Sequence, residues 1–328
     1  MDRISFRKAA PKDAENVRRE LLRKGILNAD YFVERDSEWV YFPLVKGAEG
    51  DVERDGRKKK KRLPVKELVG APVRYEIIGD LCVVELPKGV SAKKVAEGIL
   101  RFHKNVKGVF KKASAVEGEY RVRKLEHIAG EKRTTTWHKE NGCWIYVDIA
   151  KVHFSPRMAE ERKRVVEKIR KGSNVMVMFA GAGPYVIEIA KHRKAKAVGI
   201  ELNKDAVECM RKGIERAKCN AVAVEGDVRE KAHEWKGWAS YVIMPLPANS
   251  EEFIEEAVEM LKRKGKLVIY SFWEKGTENN RVKMLEGRIA KLGAKAECRW
   301  RPVKSYSPSK NKVCVECTVE KHVYKQSA

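Results

Sequence analysis

The apolar residues in the C-terminal half of the chain follow two alternating patterns. Short unbroken apolar runs, the first at residues 175–180, are followed by stretches with apolar residues three and four positions apart. Unbroken runs are typical of strands buried on both faces of a parallel sheet, and the wider spacing is typical of helices that cover such a sheet. We therefore predict an α/β fold in which residues 148–328 form a doubly wound, Rossmann-like domain.

A smaller α/β domain is predicted at the N-terminus, over residues 1–48. Residues 11–24 have apolar side chains at helical spacing, and residues 39–44 form an apolar run that suits a strand. The following residues 49–71 are polar and include consecutive basic residues at 57–62, whose mutual repulsion opposes packing. We predict that this stretch is a linker, either simply solvated or in contact with phosphate groups.

A third unit, an α+β domain, is predicted between the linker and the Rossmann-like domain, over residues 72–147. Its helix is expected to begin after Ser91, a residue type that favours the N-cap position. A hairpin is expected to turn at Asn141 and Gly142. Residues 77–86 are predicted to form a strand pair or a bent strand, and residues 106–110 and 119–126 are predicted to form one strand each. A β–α–β unit with a basic edge, as here, is a common platform for RNA.

Two glycines follow the first predicted strand of the Rossmann-like domain. Gly181 and Gly183 lie between this strand and the next helix, where glycine lets the backbone approach a ligand closely. The start of that helix supplies unpaired N–H groups. The second strand ends in Glu201, twenty residues after Gly181. An acid at that spacing can accept hydrogen bonds from both ribose hydroxyls of an adenosine.

The residues that follow distinguish between nucleotide cofactors. A dinucleotide fingerprint requires a third glycine at the position of Val186. The third strand instead leads to a second acid, Asp227, and the fourth runs into a loop that contains Pro245 and Pro247. Two acids and a proline-rich loop in this order suit S-adenosylmethionine better than a dinucleotide. The alternative is a doubly wound domain whose glycines only form a turn.

The charge balance points to a polyanionic partner. The chain has 70 Lys and Arg against 46 Asp and Glu, a formal net charge of +24. Such a charge raises the local concentration of any polyanion, and nucleic acid is the foremost candidate. The alternative is a highly charged surface of the thermophilic type, which explains the abundance of charge but not its imbalance.

Membrane and export signals are not evident in the sequence. No apolar segment reaches the ~18 residues of a membrane span, and the N-terminus does not resemble a signal peptide. Seven scattered cysteines favour a reducing compartment, so we expect a cytoplasmic protein. Cys314 and Cys317 have CxxC spacing but lie in a predicted strand, where residues three apart face opposite sides. We therefore interpret them as unrelated cysteines and expect no metal site.

Eight stretches, several of them outside the predicted nucleotide fold, carry a family resemblance. They are residues 23–31, 118–133, 138–142, 148–157, 178–184, 226–230, 244–247 and 304–308. In these stretches the chain resembles the archaeal tRNA (guanine-37-N1)-methyltransferase family, over nearly its whole length. The resemblance implies S-adenosylmethionine as methyl donor and the guanine on the 3′ side of the anticodon as acceptor. It also implies a monomer that binds tRNA at the anticodon stem-loop and the elbow.

The same resemblance assigns roles to single residues. Arg121, in an Arg-Val-Arg motif, corresponds to the arginine that contacts the base oxygen, where a guanidinium can stabilise developing charge. Glu161, shortly after Phe-Ser-Pro-Arg, corresponds to the general base that removes the N1 proton. Glu160 is its obvious rival, and a phosphate contact for Arg121 or a helix salt bridge for Glu161 are the plainer alternatives. The other implied substrate contacts are Arg123, His153, Pro245 and Tyr306. The implied cofactor contacts are Phe179, Gly181, Gly183, Pro184, Glu201, Asp227, Pro245 and Pro247.

Two departures from the family pattern keep other functions open. Pro245 replaces an asparagine that helps to hold the target base, and His153 replaces a tyrosine. Relatives in the wyosine pathway methylate a tricyclic guanine derivative at the same tRNA position, or transfer an aminocarboxypropyl group. A non-catalytic tRNA-binding relative is a further alternative. A dinucleotide-dependent oxidoreductase would share the fold but leaves the net charge and the missing third glycine unexplained.

Overall fold

The computed structural model describes residues 2–58, 63–113 and 124–322. Contacts between residues divide the chain into two units, one ending at Leu68 and the other beginning at Val69. The second unit contains both the predicted α+β domain and the Rossmann-like domain. In the described part of the chain, no helix is long and apolar enough to cross a membrane.

The first unit is a four-stranded sheet packed against one helix. The strands are antiparallel in the order β2-β3-β1-β4. Leu21 of the helix packs with Ala9, Phe42 and Leu44 of the sheet side to form a small core. The elements are β1 (Asp2–Ala9), α1 (Ala14–Arg23), β2 (Glu34–Arg35), β3 (Val40–Pro43) and β4 (Val52–Gly56).

β4 corrects the prediction that residues 49–71 form a linker. This strand has four polar or small residues in five, but its backbone pairs with β1 from Asp2↔Gly56 to Phe6↔Val52. Backbone hydrogen bonds do not require apolar side chains, so the sequence pattern concealed the strand. Gly56 is needed where β1 passes, because a Cβ there would lie 2.7 Å from Ile4. A short helix, α2 (Val65–Val69), also falls within the predicted linker.

The second unit begins with a sheet in the order β5-β6-β7-β8. Helix α3 crosses between the parallel strands β6 and β7, and its Val95 and Ile99 are fully buried. Most of the predicted strand 119–126 lies outside the described residues. The elements are β5 (Arg74–Ile78), β6 (Leu81–Glu85), α3 (Ala92–Phe102), β7 (Gly108–Lys112) and β8 (Leu125–Gly130).

The predicted hairpin is present as β9 (Thr135–Glu140) and β10 (Cys143–Asp148). Asn141 and Gly142 connect the strands with φ values of 46° and 74°. Positive φ at both positions defines a two-residue type I′ turn, which matches the twist of the flanking strands. The hairpin packs against the helices α5 and α6 of the next sheet.

A seven-stranded sheet forms the rest of the unit, in the order β13-β12-β11-β14-β15-β17-β16. The strands β13, β12, β11, β14 and β15 run parallel to one another, and β17 runs antiparallel to β15 and β16. This confirms the predicted doubly wound, Rossmann-like fold. The elements are α4 (Ala159–Lys168), β11 (Asn174–Met178), α5 (Pro184–Arg193), β12 (Lys196–Glu201), α6 (Lys204–Ala217), β13 (Ala221–Glu225), α7 (Val228–Lys231), β14 (Ala239–Met244), α8 (Ile254–Met260), β15 (Leu261–Glu274), α9 (Glu278–Lys291), β16 (Ala294–Ser305) and β17 (Lys310–Lys321).

The two faces of this sheet carry separate apolar cores. Alternate residues of β11 enter one core or the other, as Met176 and Val177 show. Cys314 and Cys317 likewise belong to opposite cores, as their spacing in a strand predicted. Cys317 is nevertheless not unpaired, because it forms a disulfide with Cys298 of β16. The sequence pattern did not predict β16, so this cross-strand pairing could not be foreseen.

Candidate functional site

A cleft of about 1390 Å³ opens at the carboxyl ends of the parallel strands. The strand order reverses about β11, and in open α/β sheets ligands bind at such a switch point. Of the predicted site residues, Arg121 and Arg123 lie outside the described residues. Gly183 caps the helix beside the cleft without lining it. The predicted site residues that line the cleft are His153, Glu161, Phe179, Gly181, Pro184, Glu201, Asp227, Pro245, Pro247 and Tyr306.

The turn after β11 has a left-handed backbone at three positions, two of which are the glycines. Phe179, Gly181 and Gly183 have φ values of 54°, 58° and 75°, in the left-handed region that glycine adopts without penalty. A Cβ at Gly183 would lie 2.4 Å from Met210, so the helix packing excludes any side chain there. A Cβ at Gly181 would meet only a carbonyl oxygen at 3.8 Å. Space therefore remains beside Gly181 for a ligand to approach the backbone.

Glu201 holds this turn with its carboxylate. Its Oε2 accepts the Gly181 N–H at 2.8 Å and its Oε1 accepts the Asn203 N–H at 2.9 Å. Burial raises the pKa of Glu201, and the backbone donors of Asn203 and Gly181 only partly offset it. The backbone donors of Gly181, Leu202 and Asn203 leave part of the acceptor capacity of this carboxylate for a ligand. The donors that an adenosine ribose offers, two neighbouring hydroxyls, fit this acceptor pair.

Asp227 and an aromatic pair form the far side of the cleft. Asp227 caps α7 by accepting the Arg229 N–H at 2.8 Å. The rings of Phe179 and Phe253 meet edge to face with centroids 4.8 Å apart, and the Arg229 guanidinium lies 4.2 Å over Phe253. Flat apolar groups beside a carboxylate suit a purine with an exocyclic amino group.

The loop after β14 is fixed from behind by Ser250. The Ser250 hydroxyl donates to the Leu246 carbonyl oxygen at 2.7 Å and lies 3.0 Å from the Met244 carbonyl oxygen. Pro245 and Pro247 contribute no side-chain donor or acceptor, so this loop shapes the cleft by its backbone. Ser250 escaped the sequence prediction because it lies three residues beyond the recognisable motif.

Glu161 lies at the base of the cleft and is buried. Its Oε1 accepts from Arg164 Nη2 at 2.7 Å and from the Tyr270 hydroxyl at 3.0 Å. Its Oε2 accepts from Arg164 Nε at 2.8 Å and from Arg301 Nη1 at 2.6 Å. Four donors thus occupy the acceptor positions of this carboxylate.

The surroundings keep Glu161 ionised. Burial raises its pKa, but the hydrogen bonds and charges of Arg164 and Arg301 and the Tyr270 hydroxyl outweigh burial, so the net effect lowers the pKa. A helical spacing of three residues could have suggested Arg164 as a partner. Tyr270 and Arg301 lie more than a hundred residues from Glu161 on β15 and β16, and only the tertiary structure identifies them.

His153 and Tyr306 lie at the mouth of the cleft. His153 is exposed, and Tyr306 has 65% of its surface exposed while its ring stacks on Phe272 at a centroid distance of 4.2 Å. Aromatic side chains in such positions can stack on an unpaired base. Basic side chains surround the opening, and the exposed ones that line it are Arg157, Arg229, Arg301 and Lys304.

Three family models match consecutive parts of the chain. The TRM5/TYW2 methyltransferase domain matches residues 136–299, which contain the cleft. The TYW2 N-terminal domain matches residues 59–134, and the tRNA methyltransferase 5 N-terminal domain matches residues 11–53. Together they cover both of the units that the structure shows.

Curated and solved relatives are similar over nearly full length. The tRNA (guanine(37)-N(1))-methyltransferase Trm5b of Pyrococcus abyssi is 34% identical, over 94% of this chain and 97% of the relative. The crystal structure of wild-type Trm5b from Pyrococcus abyssi has a TM-score of 0.72, with 98% of this chain and 100% of that chain covered at 33% identity. The complex of aTrm5 with tRNALeu has a TM-score of 0.68, with 96% and 99% covered at 30% identity.

Proposed function

Because the chain belongs to the TRM5/TYW2 methyltransferase family, we propose that it transfers a methyl group from S-adenosylmethionine to N1 of guanine 37 in tRNA. The observation that carries this proposal is one cleft that contains both a ribose-type acceptor, Glu201, and a buried ionised carboxylate, Glu161. The similarity to a tRNA (guanine(37)-N(1))-methyltransferase extends over 94% of the chain. The basic opening suits the phosphates of a tRNA.

The residues that hold the cofactor are those around Gly181. Glu201 accepts from the ribose, Asp227 with Phe179 faces the purine, and the backbone at Gly181 leaves room for the rest of the molecule. S-adenosylmethionine, when bound, supplies the methyl group and leaves as the neutral thioether. We assign Pro184, Pro245 and Pro247 to the walls of the same site, where they contribute shape and no side-chain hydrogen bonds. Gly183 supports the site from behind as the N-cap of the helix.

Glu161 is the group that moves a proton in this mechanism. The N1 atom of guanine carries a proton that has to leave as the N1–C bond forms, and the Glu161 carboxylate accepts it. Protonation would neutralise the carboxylate, and loss of the methyl group would neutralise the sulfonium. The total charge of the site would therefore stay the same. A guanidinium at the base oxygen stabilises the charge that develops there, the role predicted for Arg121.

The remaining predictions concern the partner and its location. We propose that Arg123, His153 and Tyr306 contact the nucleotides around the target, and that the first unit contacts the tRNA elbow. The monomeric state and the cytoplasmic location stay predictions. Pro245 stands where the family has an asparagine, and proline has no side-chain donor or acceptor. Other residues of the cleft therefore have to supply the side-chain contacts to the target base.

Mass spectrometry of nucleosides tests the proposal. An unmodified transcript with guanine at position 37 is incubated with the protein and S-adenosylmethionine, then digested. We expect N1-methylguanosine at position 37 and none in a matched transcript with adenine there. If only a transcript that already carries the tricyclic base is methylated, the acceptor assigned here is wrong. If the guanine transcript and the transcript with the tricyclic base both bind but neither is modified, the chain is a non-catalytic relative.

A further inference from the structure

The contact between Arg301 and Glu161 at the base of the cleft is unlike the other contacts of that carboxylate. The Arg301 side chain is 45% exposed, whereas those of Arg164 and Glu161 are 22% and 8% exposed. Among the described residues, Glu161 is the one ion-pair partner of Arg301. Arg301 therefore holds a buried carboxylate with one nitrogen and presents the rest of its guanidinium to the cleft.

Arg164, by contrast, is fixed on every side. It bonds Glu161 through two nitrogens, Glu316 through Nη1 at 2.5 Å, and the Cys314 sulfur at 3.3 Å. Tyr270, the fourth donor to Glu161, is buried and meets the Tyr185 hydroxyl at 2.7 Å. Of the four hydrogen bonds to Glu161, the one from Arg301 can be exchanged for a ligand at the smallest structural cost.

An exchange is required if Glu161 is to accept a proton. Its four acceptor positions are filled, so a base cannot approach the carboxylate until one donor leaves. The edge of guanine that reacts offers an N1–H donor beside an O6 acceptor. A carboxylate beside a guanidinium offers the complementary pattern, while adenine, with an N1 acceptor and an N6 donor, offers the reverse.

We propose that Arg301 is a specificity-determining residue that reads O6 of the target guanine and releases Glu161 to accept the N1 proton. When the base enters, the Arg301 Nη1–H turns from Glu161 Oε2 to O6. The N1–H then donates to the vacated Oε2. As the N1–H bond breaks, its electron pair forms the N1–C bond to the methyl group, and the proton stays on Glu161. O6 has two lone pairs, so Arg301 adds to the contact predicted for Arg121. This inference rests on the proposed function.

The ion pair between Arg301 and Glu161 also predicts how the pH dependence of kcat/KM changes when Arg301 is removed. The groups that face Glu161 are Arg164 on its own helix, Tyr270 on β15 and Arg301 on β16; Tyr185, Cys314 and Glu316 act through these. Burial raises the pKa of Glu161 and the Arg301 cation lowers it, so removing this cation raises the pKa. The acid limb of kcat/KM, which reports the free enzyme, therefore moves to higher pH in a variant without Arg301.

The test compares Arg301→Ala and Arg301→Lys with Arg299→Ala. Arg299 lies on the same strand, pairs with Glu297 at 2.9 Å and is 84% exposed outside the cleft lining, so its loss is the matched control. In single-turnover assays we expect about a 10- to 100-fold slower methyl transfer for Arg301→Ala, the range for one lost hydrogen bond to a charged group. Arg301→Lys recovers part of the rate, and Arg299→Ala matches the unaltered protein.

A binding measurement supplies a second, non-catalytic readout. Affinities for transcripts with guanine or adenine at position 37 are compared in the presence of S-adenosylhomocysteine. We expect the preference for guanine to shrink in Arg301→Ala. A slower rate with an unchanged preference and an unchanged acid limb would mean a purely structural role, and an unchanged rate would also overturn the inference. Failure of the unaltered protein to methylate guanine 37 is a different result, because it overturns the proposed function itself.

Discussion

Replacing Glu161 with Gln removes one negative charge from between two guanidiniums and leaves the side-chain shape unchanged. The amide keeps one acceptor oxygen, but its NH₂ group is itself a donor and faces N–H or O–H groups that also donate. At least two of the four hydrogen bonds to Glu161 are therefore lost, and the N1 proton of the base loses its acceptor. We expect the chemical step to slow by about 10²- to 10⁴-fold, the usual contribution of a general base.

The cost to stability is smaller than for most buried ion pairs. Breaking such a pair typically costs about 3–5 kcal/mol, because the remaining charge stays buried and unpaired. Here Arg164 keeps Glu316 at 2.5 Å, and Arg301 is 45% exposed and can be rehydrated. We therefore expect Glu161→Gln to lower the free energy of unfolding by only about 1–3 kcal/mol, the penalty for an unmade hydrogen bond to a buried group.

Three measurements separate these effects. Single-turnover assays at saturating tRNA report the chemical step, calorimetry reports cofactor affinity, and thermal unfolding reports stability. Glu167→Gln, on the exposed face of the same helix, is the matched control, and Glu160→Gln tests the rival base. The reasoning fails if Glu161→Gln methylates within a few-fold of the unaltered protein, or if Glu160→Gln shows the larger loss.

Three further predictions address other parts of the molecule. Glu201→Ala should weaken S-adenosylmethionine binding by about 1.5–3 kcal/mol in calorimetry, since charge-assisted hydrogen bonds are lost; equal affinities would refute the placement of the ribose. Neutralising residues 57–62 should lower tRNA affinity and flatten its dependence on salt while cofactor affinity stays constant; an unchanged salt slope would mean that this run does not contact phosphates. Burial and the neighbouring Glu140 raise the pKa of Glu188 from its ordinary value of 4.5 to about 8. Between these two pH values the folded chain holds a proton that the unfolded chain releases, so the free energy of unfolding falls as pH rises. Glu188→Gln should therefore flatten this fall in thermal unfolding across that pH range, and an unchanged slope would show that Glu188 ionises normally.

The residues around Gly181, the part of the cleft proposed to hold the cofactor, could be brought together from the sequence because their signals are local. Gly181 and Gly183 are required by the turn itself, and Glu201 lies one strand away from them at a fixed spacing. Parallel strands that alternate with helices bring their carboxyl ends to one edge of the sheet, so order along the chain determines position in space. The hairpin turn at Asn141 and Gly142 was predictable for the same reason.

The first unit shows where this kind of signal ends. β4 has no apolar periodicity, and it exists because β1 offers it a row of backbone partners. A pattern of side chains cannot reveal a strand that is selected by its neighbour's backbone. The Cys298–Cys317 disulfide has the same origin, since β16 and β17 place the two residues opposite each other.

The environment of Glu161 was decided by the tertiary structure alone. The family motif singled out this glutamate in the sequence, but it did not indicate the charge state or the accessibility on which the proposed role depends. Those follow from Tyr270 and Arg301, which reach the carboxylate from β15 and β16 across more than a hundred residues of chain. Electrostatic surroundings depend on distance in space. Helix α4 shares an apolar core with Tyr270 and Cys314 of the sheet, and this packing brings the groups within hydrogen-bonding distance.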